Sequence, residues 1–204
     1  MMTNLEFLAK LELALSGPSV YGTGGFGAPT GYRNNSERYY ENTKKNIGEK
    51  QAQKILDAPA GTFIFDCLGL GKGIVNGWDA NPNSRYGGAV YNSVCPDFSI
   101  KSLHKYCDWT ESDCINYDEI KKGEWLRTKD NTHVAYYIGN GWIIESTSKG
   151  EGKVQRNLIG TRDWNGHGML NYIDYVDDPV VSDFFKIGIC TCPRCGEMFQ
   201  LFSK

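Results

Sequence analysis

Residues 62–78, Thr-Phe-Ile-Phe-Asp-Cys-Leu-Gly-Leu-Gly-Lys-Gly-Ile-Val-Asn-Gly-Trp, restrict the fold more than any other part of this chain. Leu68, Leu70, Ile74, Val75 and Trp78 fall at helical spacing, while Gly69, Gly71 and Gly73 keep the helix slim. The pattern predicts a buried helix that opens at Cys67. A chain of 204 residues with 40% hydrophobic content can bury a core of ordinary size around it, as one domain or one domain with an appendage. Disorder is thereby excluded.

The second strong signal is a set of strands at 125–128, 132–138 and 142–146, the last two joined by Gly139-Asn140-Gly141, a hairpin signature. Strands at 154–157 and 169–175 extend the set. Before the buried helix, Leu5, Leu8, Leu11, Leu13 and Leu15 suit a short helix capped by Thr3 or Asn4, with Glu6 following and Gly17-Pro18 ending it. A loop with four glycines in residues 21–27 comes next, and its backbone must take unusual dihedrals or approach something closely. Residues 31–60 read as a polar surface excursion ending in a helical piece near 51–56. Residues 79–118 hold turn signals and a helix at 100–107. Val176-Asp-Asp-Pro marks a boundary between a domain at 1–178 and a tail at 179–204, and no internal repeat is visible.

Charge and cysteine usage narrow the partners. With 22 basic against 24 acidic residues and no run of like charge, nucleic acid and anionic lipid are not default ligands. No stretch approaches the roughly 18 apolar residues of a membrane span. The opening segment carries Glu6 and Glu12 inside its apolar pattern, so it reads as neither signal peptide nor anchor. Membrane insertion is not expected. Seven cysteines, three of them crowded at Cys190, Cys192 and Cys195, fit a secreted disulfide scaffold poorly. The expectation is a chain made in a reducing cytoplasm, with thiols used for chemistry or metal.

Three residues carry the chemistry. A cysteine in the first turn of a helix faces unpaired N–H groups and the positive end of the dipole, so the thiol of Cys67 is expected to titrate low. Its alternative role is a buried structural thiol. His133 heads an alternating strand in which His133, Ala135 and Tyr137 share one face, where a neutral imidazole can take the thiol proton and return it to a leaving amine. If the hairpin has a three-residue loop with a bulge, Ala135 faces Glu145 and the carboxylate reaches the ring, holding its Nδ1–H. A two-residue loop would point Glu145 away and leave it a solvated strand carboxylate. His167, glycine-flanked in a loop, is the second choice as base, and His104 reads as surface. Asp66 is expected to cap the helix. Trp78, Trp142 and Trp164 are core or groove residues.

In the tail, Cys190-Thr-Cys192-Pro-Arg-Cys195-Gly196 contains the turn that presents thiolates to zinc. Cys190, Cys192 and Cys195 would supply three ligands, with Cys95, Cys107, Cys114, His167 or a second chain supplying the fourth. Unliganded thiols or a redox pair are the alternative.

The order of motifs resembles the NlpC-type cell-wall cysteine peptidases: Tyr-x-x-Gly-Gly at 21–25, Phe-Asp-Cys-x-Gly-Leu at 65–70, Lys-Gly-Glu at 122–124, His-Val-Ala-Tyr-Tyr-Ile-Gly-Asn-Gly at 133–141, and Ile-Glu at 144–145. Phe-Gly-Ala-Pro at 26–29, Ile-Phe-Asp-Cys at 64–67, the span from Gly77 to Tyr91 and the span from Trp164 to Leu170 are similar in texture to phage and prophage endolysins. The resemblance covers about residues 3–175. It implies an α+β, papain-like fold in which a helix bearing the catalytic Cys packs on an antiparallel sheet bearing the His, with a short C-terminal tail. It implies a peptidoglycan hydrolase with Cys67 as nucleophile, His133 as base and acid, Glu145 as orienting residue, and Tyr21 and Asp66 supporting substrate or oxyanion.

The chain departs from the pattern in three places. Leu68 stands where the family commonly has Ser. Glu145 is similar to the third residue of the related CHAP amidases. The gap from Gly25 to Cys67 is long, which leaves the match of Tyr21 open. The substrate implied is the peptidoglycan stem peptide, cut by an endopeptidase or an amidase, with no catalytic cofactor, a structural zinc as the one candidate metal, and release from the cytoplasm through a holin-type pore. An acyltransferase or toxin on another substrate, and a binding module on an inactive scaffold, are the rival readings.

Overall fold

The computed structural model describes the backbone of residues 1–112, 115–177, 185–191 and 198–203, and the side chains of 1–112 and 115–177. In chain order the elements are β1 (Met2–Thr3), α1 (Asn4–Ser16), β2 (Ser19–Tyr21), β3 (Phe26–Pro29), α2 (Asn35–Asn46), α3 (Glu49–Asp57), β4 (Phe63–Phe65) and α4 (Cys67–Val75). They continue as β5 (Cys107–Glu111), β6 (Trp125–Thr128), β7 (Val134–Gly139), β8 (Trp142–Ser146), β9 (Val154–Leu158), β10 (Trp164–Leu170), β11 (Ile173–Asp174), β12 (Phe185–Thr191) and β13 (Met198–Ser203). The class is α+β. No helix among the described residues is long and apolar enough to cross a membrane.

A six-stranded antiparallel sheet in the order β5-β10-β6-β7-β8-β9 is the platform. One face buries Trp125, Val134, Tyr136 and Ile144 against α1 and α4. The other buries Leu126, Ala135, Tyr137 and Ile143 with Ile159 and Trp164. The period-2 alternation of each strand accounts for this division. A second, three-stranded sheet, β2-β4-β3, delivers the chain into α4.

The glycines of α4 sit where neighbours come closest. A Cβ on Gly69 would lie 1.8 Å from the Gly25 carbonyl oxygen, and one on Gly71 would meet Tyr136 and Trp125. The helix is slim because loop and sheet press on it from both sides.

Several local expectations change. Thr3 caps α1 in a capping box with Glu6. Its buried face is Phe7, Leu11 and Ala14, whereas Leu13 is 41% exposed, because docking follows the i, i+4, i+7 stripe rather than the count of leucines. Residues 31–60 form two helices whose Tyr39, Thr43, Ala52 and Ile55 are buried, so the segment is not merely a surface excursion. Residues 100–105 form a 3-10 helix, and Cys107 begins a strand instead of ending a helix. The tail pairs β12 with β13. Cys192, Cys195 and Cys114 lie outside the described residues, as does the side chain of Cys190, so the zinc expectation there is untouched. Among the described residues no group of three His, Cys, Asp or Glu is placed to hold a metal ion.

Candidate active site

Cys67 is the first residue of α4, and Asp66 is its N-cap. One Asp66 carboxylate oxygen accepts from the Gly69 N–H at 2.5 Å and the other from the Gly24 N–H at 2.8 Å. The Asp66 N–H donates in turn to the Gly25 carbonyl at 3.0 Å. The cap therefore ties the glycine loop to the helix start. From the opposite side the buried Tyr136 hydroxyl accepts from the Gly71 N–H and donates to the Cys67 carbonyl, at 2.8 and 2.7 Å. Ser146 Oγ donates to the Phe65 carbonyl at 2.9 Å. Strands β7 and β8 are thus fastened to the turn that presents the sulfur.

The thiol does not titrate low. Burial, with Cys67 only 5% exposed, and the neighbouring Asp66 carboxylate push it up to about 12. The N–H groups of Val134, Leu68 and Cys67 pull the other way without prevailing. The helix-terminus argument is correct in sign, but desolvation of a thiolate outweighs it. Burial likewise raises Asp66, against the N–H donors of Gly69 and Gly24. The Val134 contact places the sulfur against the head of the His133 strand. Tyr21 is in electrostatic reach: burial raises its hydroxyl, and the charges of Cys67 and Asp66 add to that.

The hairpin resolves its register in an unexpected way. Gly139 pairs with Trp142, so the loop is the two-residue Asn140-Gly141, with φ of 54° and 75° as a type I′ turn requires. A bulge between Tyr137 and Gly139 then absorbs one residue, and Tyr137 pairs with Ile143 and Tyr136 with Ile144. Parity carries Glu145 opposite Ala135, so a two-residue loop and a correctly aimed Glu145 coexist.

Glu145 Oε2 contacts His133 Nε2 directly, with the carboxylate side chain 1% and the imidazole 12% exposed. The nitrogen engaged is Nε2 rather than Nδ1. Three further bonds reach the carboxylate: Arg162 Nε at 2.7 Å, Arg162 Nη2 at 2.9 Å and Asn157 Nδ2 at 2.7 Å. Burial pushes Glu145 up, but the bonds and charges of His133 and Arg162 outweigh it and hold the carboxyl at about 2. An ionised carboxylate only accepts. Nε2 therefore carries the ring proton when His133 is neutral, and Nδ1 keeps a lone pair.

The remaining expected residues separate clearly. His167 lies in mid-strand β10, not in a loop, and its Nδ1 meets Glu124 Oε2 at 2.5 Å with both side chains buried. His104 is exposed. Trp78 and Trp164 are core, 1% and 4% exposed, and Trp142 is 40% exposed. Cys95 and Cys107 are free buried thiols. Arg162, Asn157 and Tyr136 went unrecognised in the sequence. Strand parity marks Asn157, since Glu145 pairs with Gln155 and 155 and 157 share a face. Arg162 follows a 3-10 turn at Ile159–Thr161 that erases the period.

Two cavities flank these groups. One of about 440 Å³ is lined by His133, Arg162, Lys149 and Asp130; the other, about 480 Å³, by Asp66, Leu68, Gly69 and Arg38.

No protein-family model matches the chain, and no curated protein matches it. Among solved structures, the chain is similar to the peptidoglycan hydrolase RipB from Mycobacterium tuberculosis, with TM-score 0.46 and 18% identity over 84% of this chain. It spans 65% of the RipB chain. It is also similar to the P60 domain of an antigen from M. avium subspecies paratuberculosis, with TM-score 0.43 and 17% identity, covering 83% of this chain and 94% of that domain.

Proposed function

We propose that this chain is a thiol hydrolase that cuts an amide bond in peptidoglycan stem peptides. The observation that carries the reading is a cysteine at a helix start, set against the strand whose His133 is held by a buried, ionised Glu145. The motif order similar to NlpC-type peptidases, endolysins above all, directs the reading to the cell wall.

The resting thiol is neutral, so its proton leaves during attack. His133 Nδ1 accepts it as the sulfur bonds to the carbonyl carbon, and the carbonyl electron pair moves onto oxygen. Backbone N–H groups at the start of α4, that of Cys67 first, and the Tyr21 hydroxyl serve as donors to that oxygen in this reading. Collapse expels the amine, which takes the proton from His133 and leaves a thioester on Cys67. Water, deprotonated by His133, then releases the acid and regenerates the thiol. Glu145 stabilises the imidazolium in both halves. Asp66 holds the helix start and the glycine loop through the Gly69 and Gly24 N–H groups.

The test is turbidity loss and release of amino groups from purified peptidoglycan by wild type, Cys67→Ala and His133→Ala. Lysis that both substitutions abolish supports the reading, and the new termini distinguish an endopeptidase from an amidase. No lysis of any wall type overturns the cell-wall assignment in favour of another acyl donor. Lysis surviving Cys67→Ala overturns the mechanism.

A further inference from the structure

Glu145 is a buried carboxylate with two cationic claims on it. One Arg162 nitrogen addresses each oxygen, Nε to Oε2 and Nη2 to Oε1, and Nη2 also donates to Thr147 Oγ1 at 3.1 Å. Such a fork fixes position as well as charge. The Arg162 side chain is 14% exposed, and it shares the 440 Å³ cavity with His133. The other charged groups lining that cavity are Lys129, Asp130, Lys149 and Asp163. Asp130 is occupied by the hydroxyls of Thr128 and Thr132 and by the Thr132 N–H. On the helix side the charged neighbour of the thiol is Asp66. Glu145 is thus the anion in contact with the imidazole, and Arg162 is its standing counter-ion.

We propose that Arg162 is a positioning residue that sets the tautomer of His133: by holding Glu145 as a fixed anion it keeps the ring proton on Nε2 and Nδ1 bare for the thiol. The inference rests on the assignment of Cys67 and His133 given above, but not on the substrate. Without the guanidinium, a carboxylate 1% exposed needs a new source of positive charge or a proton of its own. If His133 supplies the charge, both ring nitrogens are protonated. If Glu145 takes the proton, it donates to Nε2 and the ring proton moves to Nδ1. Either way Nδ1 loses its lone pair near neutral pH, and the base is lost although His133 and Glu145 are both present.

The test uses Arg162→Met and Arg162→Lys in the full chain, with ¹⁵N spectra of the His133 imidazole and the rate of Cys67 alkylation by iodoacetamide, followed on the Cys67 peptide by mass spectrometry. Neither readout requires a wall substrate, so a wrong substrate assignment leaves the result intact. Wild type is expected to show a bare Nδ1 at neutral pH. Arg162→Met is expected to show a protonated Nδ1, with the alkylation profile moved to higher pH by about one unit. Should Arg162→Met fail to fold, Arg162→Lys carries the test. One ammonium cannot occupy both oxygens, so neutral-pH alkylation should fall about tenfold, the effect of one lost hydrogen bond to a charge. A folded Arg162→Met with a bare Nδ1 and the wild-type alkylation profile overturns the proposal. So does a wild-type alkylation rate in Arg162→Lys.

Discussion

Among the described residues two histidine-glutamate pairs of the same composition occur, and only one of them opens onto a cavity with an arginine behind its carboxylate. His133–Glu145 and His167–Glu124 both join a ring nitrogen directly to a carboxylate, and in both the side chains are nearly buried. They differ in what surrounds them. Glu145 has Arg162 and Asn157 as further donors, whereas Glu124 takes its other bond from the Lys121 N–H at 2.9 Å. His133 uses Nε2 and lines a cavity, whereas His167 uses Nδ1 inside the sheet. Two buried thiols differ as well. Cys67 sits at a helix start beside β7, whereas Cys107 sits in β5, its thiol raised by burial first and then by the charges of Cys95, Glu124 and Asp108. The two pairs thus share a histidine-glutamate contact and differ in the counter-ion behind the carboxylate, the cavity beside the ring and the helix terminus that carries the thiol.

Substitution of each histidine is the most forceful way to break this contrast. His133→Ala should lower the rate of amide cleavage on the order of 10³-fold with little effect on folding. His167→Ala should lower stability by about 3 kcal/mol, because it strands the Glu124 carboxylate, and leave the rate per folded molecule near wild type. Cleavage kinetics beside thermal unfolding check both. Loss of activity in a fully folded His167→Ala protein would remove the distinction between the two pairs.

Tyr136→Phe sharpens the comparison at the helix. It leaves the Gly71 N–H and Cys67 carbonyl without that hydroxyl, at a cost of about 1–3 kcal/mol in denaturant unfolding. A change below 0.5 kcal/mol would show that the hydroxyl does not fasten the helix.

A last effect lies in acid. Glu145 sits at about 2 in the folded chain against an ordinary 4.5, so the unfolded chain binds the proton first. The stability this contributes is present above about pH 4.5 and is lost as pH falls toward 2. Glu145→Gln should therefore flatten the fall in stability across that window, measured by urea unfolding at fixed pH. An unchanged slope would mean that Arg162 and His133 hold the carboxylate no better than water does.

Much of this was legible in the residues. The α4 start at Cys67, strands β6 and β8 with their observed bounds, a cap at Thr3 or Asn4 that the structure places at Thr3, and the approach of Glu145 to His133 all follow from spacing, turn chemistry and caps. His167 was misplaced because its flanking glycines read as a loop, although Gly166 and Gly168 are there to admit Trp109 and the Asp108 carbonyl from β5. The hairpin expectation had the bulge and the pairing of Ala135 with Glu145 but not the loop length, because the extra residue sits between Tyr137 and Gly139 and leaves only Asn140-Gly141 in the loop.

By itself, the sequence determined where α4, β6 and β8 begin and which residues of the hairpin share a face, and it singled out Cys67, His133 and Glu145 as candidates for thiol chemistry, since those readings depend on neighbours a few positions apart. Only the tertiary structure decided that the Cys67 thiol rests neutral, that Nε2 rather than Nδ1 meets Glu145, and that Arg162 stands behind the pair. The reason is physical: desolvation and Coulomb energy sum over every group in space around a site, and that sum is written nowhere along the chain.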